Sequence, residues 1–532
     1  MPLARTRAVA LVGVQGHVVE IEADIENGLV ALLLVGLPDT ALREARDRIR
    51  SAIVNSGQAW PQRRITVGLS PASLPKRGSG FDLGMAAAIL SAGGAIPGAP
   101  LEDIVFLGEL GLDGRVRPVP GILPAVAAAA AAGFSRVAVA VDNVFEASLV
   151  PDLQVVAVPS LGALVAWLNG VRPATGPAVE AVRSTGRPRD LTGDTAGGLA
   201  GRGAAGMALG GERPLDLADV VGQPVARRAA EICAAGGHHL LLSGPPGVGK
   251  TMLAERLPTI MPALEPRAAL EVSAIHSVAG VLRPDHPLVT EPPFCAPHHT
   301  ATKAAIIGGG SGVIRPGAAS LAHHGCLFLD EAPEFDRDVL DALRQPLESG
   351  EVVVARSGLT ARFPARFTLV LAANPCPCAR SAATGAACTC TPQMKRRYTA
   401  RLSGPLLDRV DVKVQLLPVG RAELLSDRQL TEPSTVVAAR VDEARLRAAR
   451  RLQGTRWRLN AQIPGSELRR TFRPAPGALA PLERAMDLGQ ISARGADRII
   501  RMSWTLADLA SQDKPRLSEI EWALGLWLGA GL

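Results

Sequence analysis

The stretch "LLLSGPPGVGKT", Leu240 to Thr251, decides the fold. It matches G-x-x-x-x-G-K-[ST], with an apolar strand pattern before it and the helical pattern "MLAERL" after it. Gly244, Gly247 and Gly249 permit a tight loop whose N–H groups turn toward phosphate oxygens, and the following helix adds the positive end of its dipole. The loop of Gly244, Pro245, Pro246, Gly247, Val248, Gly249, Lys250, Thr251 and Met252 is therefore read as an ATP cradle. Lys250 is expected to reach the β- and γ-phosphates and Thr251 to place its hydroxyl on Mg2+.

Further along, "CLFLDE" sets four apolar residues before two acids, the way a buried parallel strand delivers carboxylates to the rim of an α/β sheet. Asp330 is placed in the Mg2+ shell and Glu331 as the base that orients and deprotonates the attacking water. Alone, an acidic pair at a strand end is a common solvated feature; with a P-loop upstream it becomes the expected partner. The next apolar run, "FTLVLAAN", ends at Asn374, which can hydrogen-bond the same water or the γ-phosphate, an ordinary strand-end turn being the alternative.

The 532 residues give room for three to four domains of about 150 residues each. Hydrophobic residues make up 47% and aromatic residues 3%, which points to a helix-rich α/β protein packed with small side chains and weakens a base-stacking platform. The formal charge of +7 favours polyanionic partners without proving one. Gln15, His17 and Glu20 interrupt the N-terminal apolar segment, and the run from Gly121 to Phe134 is too short to span a bilayer, so the chain is read as cytosolic with no membrane partner. Residues 1–170 alternate strand-like and alanine-rich helical runs, 171–213 read as a flexible linker, 214–419 as the nucleotide-binding core and 420–532 as an arginine-rich helical lid. No fixed-period repeat is visible, which argues against a solenoid or propeller.

Five segments carry a resemblance: "DVVGQPVARRAAEICAAGGHHLLLSGPPGVGKTML", "APHHTATKAAIIGGG", "ASLAHHGCLFLDEAPEF", "NPCPC" and "SGPLLDRVDV". In this order they closely resemble the magnesium-chelatase-like AAA+ ATPases of the bacterial YifB/ComM group, over nearly the whole chain. The resemblance implies an α/β fold class in three parts: an N-terminal Lon-protease-like (ribosomal protein S5-like) domain, a P-loop AAA+ core and a C-terminal helical lid. It also implies a ring, usually a hexamer, with ATP between subunits. By that resemblance Arg409 in "LLDRVD" takes the place of the arginine finger and Arg494 that of the lid's sensor arginine, with Arg401 and Arg498 as runners-up. For any isolated arginine a surface salt bridge is the alternative. In this clade the insertion after the P-loop and the hairpin before the first sensor strand project toward the pore. That hairpin is readable in "EVVVARSGLTARF", which makes Arg356, Arg362 and, less directly, Lys303 the candidate DNA contacts, against the alternative of solvated arginines.

The segment "SPASLPKRGSGFDL", Ser70 to Leu83, resembles the active-site stretch of a Lon-type protease stripped of its nucleophile. That resemblance puts Gly80 where the serine belongs, with Ser79 a near miss, and Leu123 where the activating lysine belongs. It implies a scaffold that is not an active protease and whose loops, such as Lys76 and Arg77, can meet nucleic acid. Of seven cysteines, Cys376, Cys378, Cys388 and Cys390 form two C-x-C pairs closing a short polar loop, a pattern that suits structural Zn2+, with a redox-sensitive thiol cluster as the alternative. The run "RVDEARLRAARRLQGTRWRL" reads either as a nucleic-acid or subunit surface or as a solvated helix. The resemblance thus implies a Mg-ATP-dependent DNA motor promoting branch migration in recombination or natural transformation. The alternative is a chelatase-like chaperone that remodels a protein partner. A third reading, an ATP-dependent protease, lacks its Ser–Lys pair.

Overall fold

Alternation in "VVEIEADI" builds an antiparallel pair. In the computed structural model β1 (Leu3–Val12) and β2 (Gln15–Glu26) pair from Leu3 opposite Asp24 to Val12 opposite Gln15. Val19, Ile21, Ala23 and Ile25 share one buried face, as period-two spacing requires. The structure describes residues 3–36, 39–74, 76, 78–171, 214–310, 314–356, 359–378, 388–420 and 431–529. Residues 172–213 of the expected linker, and Arg77, lie outside them.

Next come β3 (Ala31–Val35), α1 (Asp39–Asn55), β4 (Arg64–Ser70), α2 (Asp82–Ala92), β5 (Ile104–Leu107), α3 (Ile122–Ala131), β6 (Arg136–Ala140) and β7 (Gln154–Val158). They complete a seven-stranded mixed sheet in the order β3-β4-β2-β1-β5-β6-β7. The alanine-rich α2 lies between this sheet and α1, and so is buried from Asp82 through Leu90. Small side chains let it approach both neighbours closely.

The second sheet follows from runs that are apolar on both faces. After α4 (Pro224–Gly236) come β8 (Leu240–Ser243), α5 (Lys250–Arg256), α6 (Pro266–Ala279), β9 (Phe294–Cys295) and β10 (Cys326–Leu329). A hairpin of β11 (Glu351–Arg356) and β12 (Leu359–Pro364), then β13 (Thr368–Ala373), α7 (Pro392–Thr399) and β14 (Val412–Gln415) finish the core. Its order is β9-β10-β13-β8-β14 and every pair is parallel. β10 and β13 are buried at every position, the signature of strands covered on both sides.

Helices α8 (Ser434–Arg451), α9 (Ala493–Leu509) and α10 (Leu517–Leu528) form the C-terminal helical region. The architecture is the expected mixed α/β fold with a parallel core. The arginine run of α8, by contrast, is mostly structural. Arg440 pairs with Glu231 at 2.8 Å and with Glu432 at 2.6 Å; Arg445 donates to the Ala234 carbonyl at 2.6 Å. Arg451 donates to both oxygens of Asp508, at 2.5 and 2.6 Å, and lies 4.3 Å over the Trp504 ring. These arginines fasten α8 to α4 and α9. The surface reading of the run therefore narrows to exposed residues such as Arg450 and Arg456.

The units that carry the two large sheets meet through α3 and α6 and through the β1–β2 turn on the β11–β12 hairpin. Glu146, buried, accepts from Leu123 N at 2.8 Å and from the Ser277 hydroxyl, while Gly121 N donates to Ser277 O at 3.0 Å. Leu11 and Val14 at the β1–β2 turn pack with Val278, Ile314, Ala361 and Phe363. Lys76 corrects an expectation: it is 1% exposed, with its ammonium turned onto the carbonyls of Pro71 and Leu74, so it offers no charge to a polyanion.

Asp508 is itself 1% exposed and also accepts from Asn460 Nδ2 at 2.8 Å. Asp508→Ala would leave Arg451 largely buried without its counter-charge, a loss of about 3–5 kcal/mol. Urea unfolding followed by tryptophan fluorescence, to which Trp457, Trp504, Trp522 and Trp527 of this region contribute, should show a transition at lower urea than in the unaltered chain. An unchanged midpoint would mean that the pair holds nothing together.

Candidate nucleotide-binding site

The carboxyl ends of β8, β13 and β10 lie side by side, so three separate sequence segments converge at one sheet edge. The loop after β8 turns tightly at Gly244, where a Cβ would sit 2.5 Å from the Leu416 carbonyl oxygen. Gly249, at φ +93°, opens α5 in the left-handed region that glycine adopts at no steric cost. Lys250 is mostly buried and donates to the carbonyls of Gly244 at 2.7 Å and Pro245 at 2.9 Å, and to Asn374 Oδ1 at 3.0 Å. Burial lowers the pKa of this lysine, against the opposing pull of Asp330 and Glu331.

Thr251 Oγ1 donates to Asp330 Oδ2 at 2.7 Å. A hydroxyl and a carboxylate held this close are two hard oxygen donors of the kind Mg2+ takes, and they sit beside a loop that opens a helix. The residues present therefore fit Mg-ATP. Glu331 stands at φ +50°, in the left-handed region, with its N–H donating to Asp330 Oδ1 at 2.9 Å. Its carboxylate lies 3.5 Å from His299 Nδ1. Sequence reasoning gave His299 no chemical role. The signal was position: "APHHT" follows β9, the strand beside β10, so its histidines reach the rim where Glu331 stands.

Comparison with known proteins shows the family. The family described as "Magnesium chelatase, subunit ChlI" matches residues 216–424, its C-terminal family matches 431–526, and "Subunit ChlI of Mg-chelatase" matches 21–143. The chain belongs to the magnesium-chelatase-like AAA+ ATPases. An uncharacterised protein of Mycobacterium tuberculosis, Rv2897c, is 51% identical over 524 residues, 98% of each chain. Competence protein ComM of Haemophilus influenzae is 39% identical, covering 98% of this chain and 97% of its own. The uncharacterised YifB of Escherichia coli is 38% identical over 96% of this chain and 94% of its own.

The remaining site residues of this AAA+ chain fall into two groups. Arg409 donates to the Pro405 carbonyl and to Glu348, and its pKa is lowered by burial and by the nearby guanidiniums of Arg498, Arg344 and Arg494. Arg494 is exposed in the first turn of α9, near enough for its charge to act on Arg409. Among the described residues neither pairs with Asp330 or Glu331 of the same chain. The runners-up are committed elsewhere: Arg401 to Glu334 at 3.0 Å, and Arg498 to Asp411 at 2.5 Å and the Arg409 carbonyl at 3.0 Å. Arg362 pairs with Glu351 at 2.7 Å, Lys303 is exposed, and the Arg356 side chain lies outside the described residues.

Cys376, Cys378, Cys388 and Cys390 bring all four sulfurs within 4.8 Å of one another. Three pairs measure 3.3, 3.5 and 3.7 Å, close to the edge of about 3.8 Å that a tetrahedron of thiolates at Zn–S about 2.3 Å would have. A second group, Glu271, His323 and His324, is less suited to a metal. His323 Nδ1 accepts from Arg366 N at 2.9 Å, so its Nε2, 3.5 Å from Glu271, carries the proton instead of a metal. No helix among the described residues is long and apolar enough to cross a membrane.

Lys250→Ala removes the one cation seated in the P-loop. Phosphate release from ATP should fall at least about 100-fold, the scale for losing a preorganised charge on a transferring phosphoryl group, with circular dichroism unchanged. A variant hydrolysing at the wild-type rate would dissociate this loop from the chemistry.

Proposed function

We propose that the chain is a cytosolic, Mg-ATP-dependent motor that assembles as a ring, in this family usually a hexamer, and acts on DNA, with branch migration of recombination intermediates as its task. The ATPase half is supported by the convergence of Lys250, Thr251, Asp330, Glu331 and Asn374 at one sheet edge. The observation that carries the DNA half is the match, over 97% of its length, to a relative named as a competence protein. The excess of positive charge agrees with it.

In this reading the loop N–H groups and Lys250 hold the phosphates, the lysine exchanging its carbonyl partners for phosphate oxygens, and Thr251 with Asp330 holds Mg2+. The bound metal neutralises charge on the phosphates. Glu331 takes the proton of the attacking water, Asn374 orients it, and His299 holds the Glu331 carboxylate until the site closes. Arg409 and Arg494, neither of which pairs with Asp330 or Glu331 of its own chain, serve the nucleotide of the adjoining subunit, Arg409 leaving Glu348 to do so. The cysteine cluster holds structural Zn2+. Arg356, Arg362 and Lys303 remain candidate pore contacts.

The N-terminal unit is not a peptidase in this reading. Ser79 donates to Glu109, Gly80 carries no nucleophile, and Leu123 is buried in the first turn of α3. A serine bonded to a carboxylate with no lysine beside it has no base of the Ser–Lys kind.

Two measurements test the reading. ATP hydrolysis should rise with single-stranded, duplex or forked DNA; stimulation by none would move the assignment to a chaperone remodelling a protein partner, in keeping with the chelatase family. Metal analysis of protein purified under reducing conditions should find about one zinc per chain, as one four-thiolate site requires. A chain with no zinc would leave the cysteines as a thiol cluster.

A further inference from the structure

The cysteine knot ends at Cys390, and α7 begins two residues later. Thr391 caps the helix, its Oγ1 accepting from Met394 N at 3.2 Å. Every residue from Thr391 to Arg397 is exposed, and only Tyr398 turns inward. The buried tyrosine meets the backbone of Asn374, two residues before Cys376. The helix is therefore rooted at both ends, by thiols at one and by a tyrosine at the other.

What it presents is charge. Lys395, Arg396 and Arg397 are consecutive, and the sequence carries no acid between Cys388 and Leu407. Arg401, just beyond, has Glu334 as its counter-ion. Among the described residues none of the three is in an ion pair within 4.0 Å. This differs from the other arginine-rich segment, whose members are largely occupied by Asp508, Glu231, Glu432 and backbone carbonyls. Three adjacent exposed cations, none of them in an ion pair among the described residues although Glu331 and Glu334 lie near Tyr398 at the inner side of the helix, complement a phosphate backbone.

We propose that α7 is a DNA-backbone contact, set on the surface beside the cysteine cluster, in which Lys395, Arg396 and Arg397 neutralise phosphates. This rests on the DNA-motor reading and names its contact surface. Because such contacts read no bases, they suit a motor that must move along any sequence.

The test uses the full chain with a non-hydrolysable ATP analogue and a fluorescently labelled duplex, whose binding is measured by anisotropy across salt concentrations. For a triple variant Lys395→Gln, Arg396→Gln, Arg397→Gln, the slope of log affinity against log salt should be shallower by about 2–3, since each duplex phosphate contact contributes about 0.9. The charge-preserving variant Lys395→Arg, Arg396→Lys, Arg397→Lys should retain the wild-type slope. An unchanged slope in the neutral variant overturns the proposal while leaving the DNA-motor reading in place. Absence of duplex binding by the wild-type chain overturns that reading and the proposal with it. If light scattering shows the neutral variant alone losing assembly, α7 is a subunit contact and the proposal fails.

Discussion

Lys250 reaches Asn374, and Thr251 reaches Asp330, because β8, β13 and β10 lie next to one another and run the same way. The site depends on that adjacency. Parallel strands deliver all their carboxyl ends to one rim, so the P-loop, the amide and the acidic pair arrive together without any being near another in sequence. A mostly buried ammonium is costly unless acceptors surround it. Here two loop carbonyls and an amide oxygen supply them. The same three acceptors hold the lysine where phosphate oxygens would displace the carbonyls, so the site is organised before nucleotide arrives.

Local signals made the core of this site legible. A P-loop between strand and helix, and apolar runs ending in Asp330, Glu331 and Asn374, state both element and chemistry within a dozen residues. Partnership across long distances was not legible. Arg445 looked like surface charge, yet its acceptor is the Ala234 carbonyl, 211 positions away. Lys76 read as a loop cation, yet it folds onto the carbonyls of its own loop. His299 lies after a strand of only two residues, too short for any periodicity to announce it. In each case the deciding partner is a backbone carbonyl or a distant acid, and neither leaves a trace in local composition.

The cysteine cluster falls between these cases. Its spacing predicted a closed loop, while only the fold shows that the loop begins two residues beyond Asn374 and ends at the cap of α7. That placement ties a surface helix to the residue that meets Lys250, through Tyr398 on one side and the thiols on the other.

The front unit also braces the ATPase core. A two-stranded hairpin such as β11–β12 is marginal alone, and Phe363 and Ala361 would face water if nothing covered them. The β1–β2 turn provides that cover with Leu11 and Val14, and Gly13 leaves no side chain between itself and the Arg362 backbone, where a Cβ would come within 2.7 Å of the carbonyl oxygen. The other contact is polar: Glu146 spans the interface, joining the first turn of α3 to Ser277 of α6. The first turn of α3 is thus built into a joint with the ATPase core. A charged side chain in place of Leu123 would have to be buried in that turn, a cost that the apolar leucine avoids while its N–H stays on Glu146.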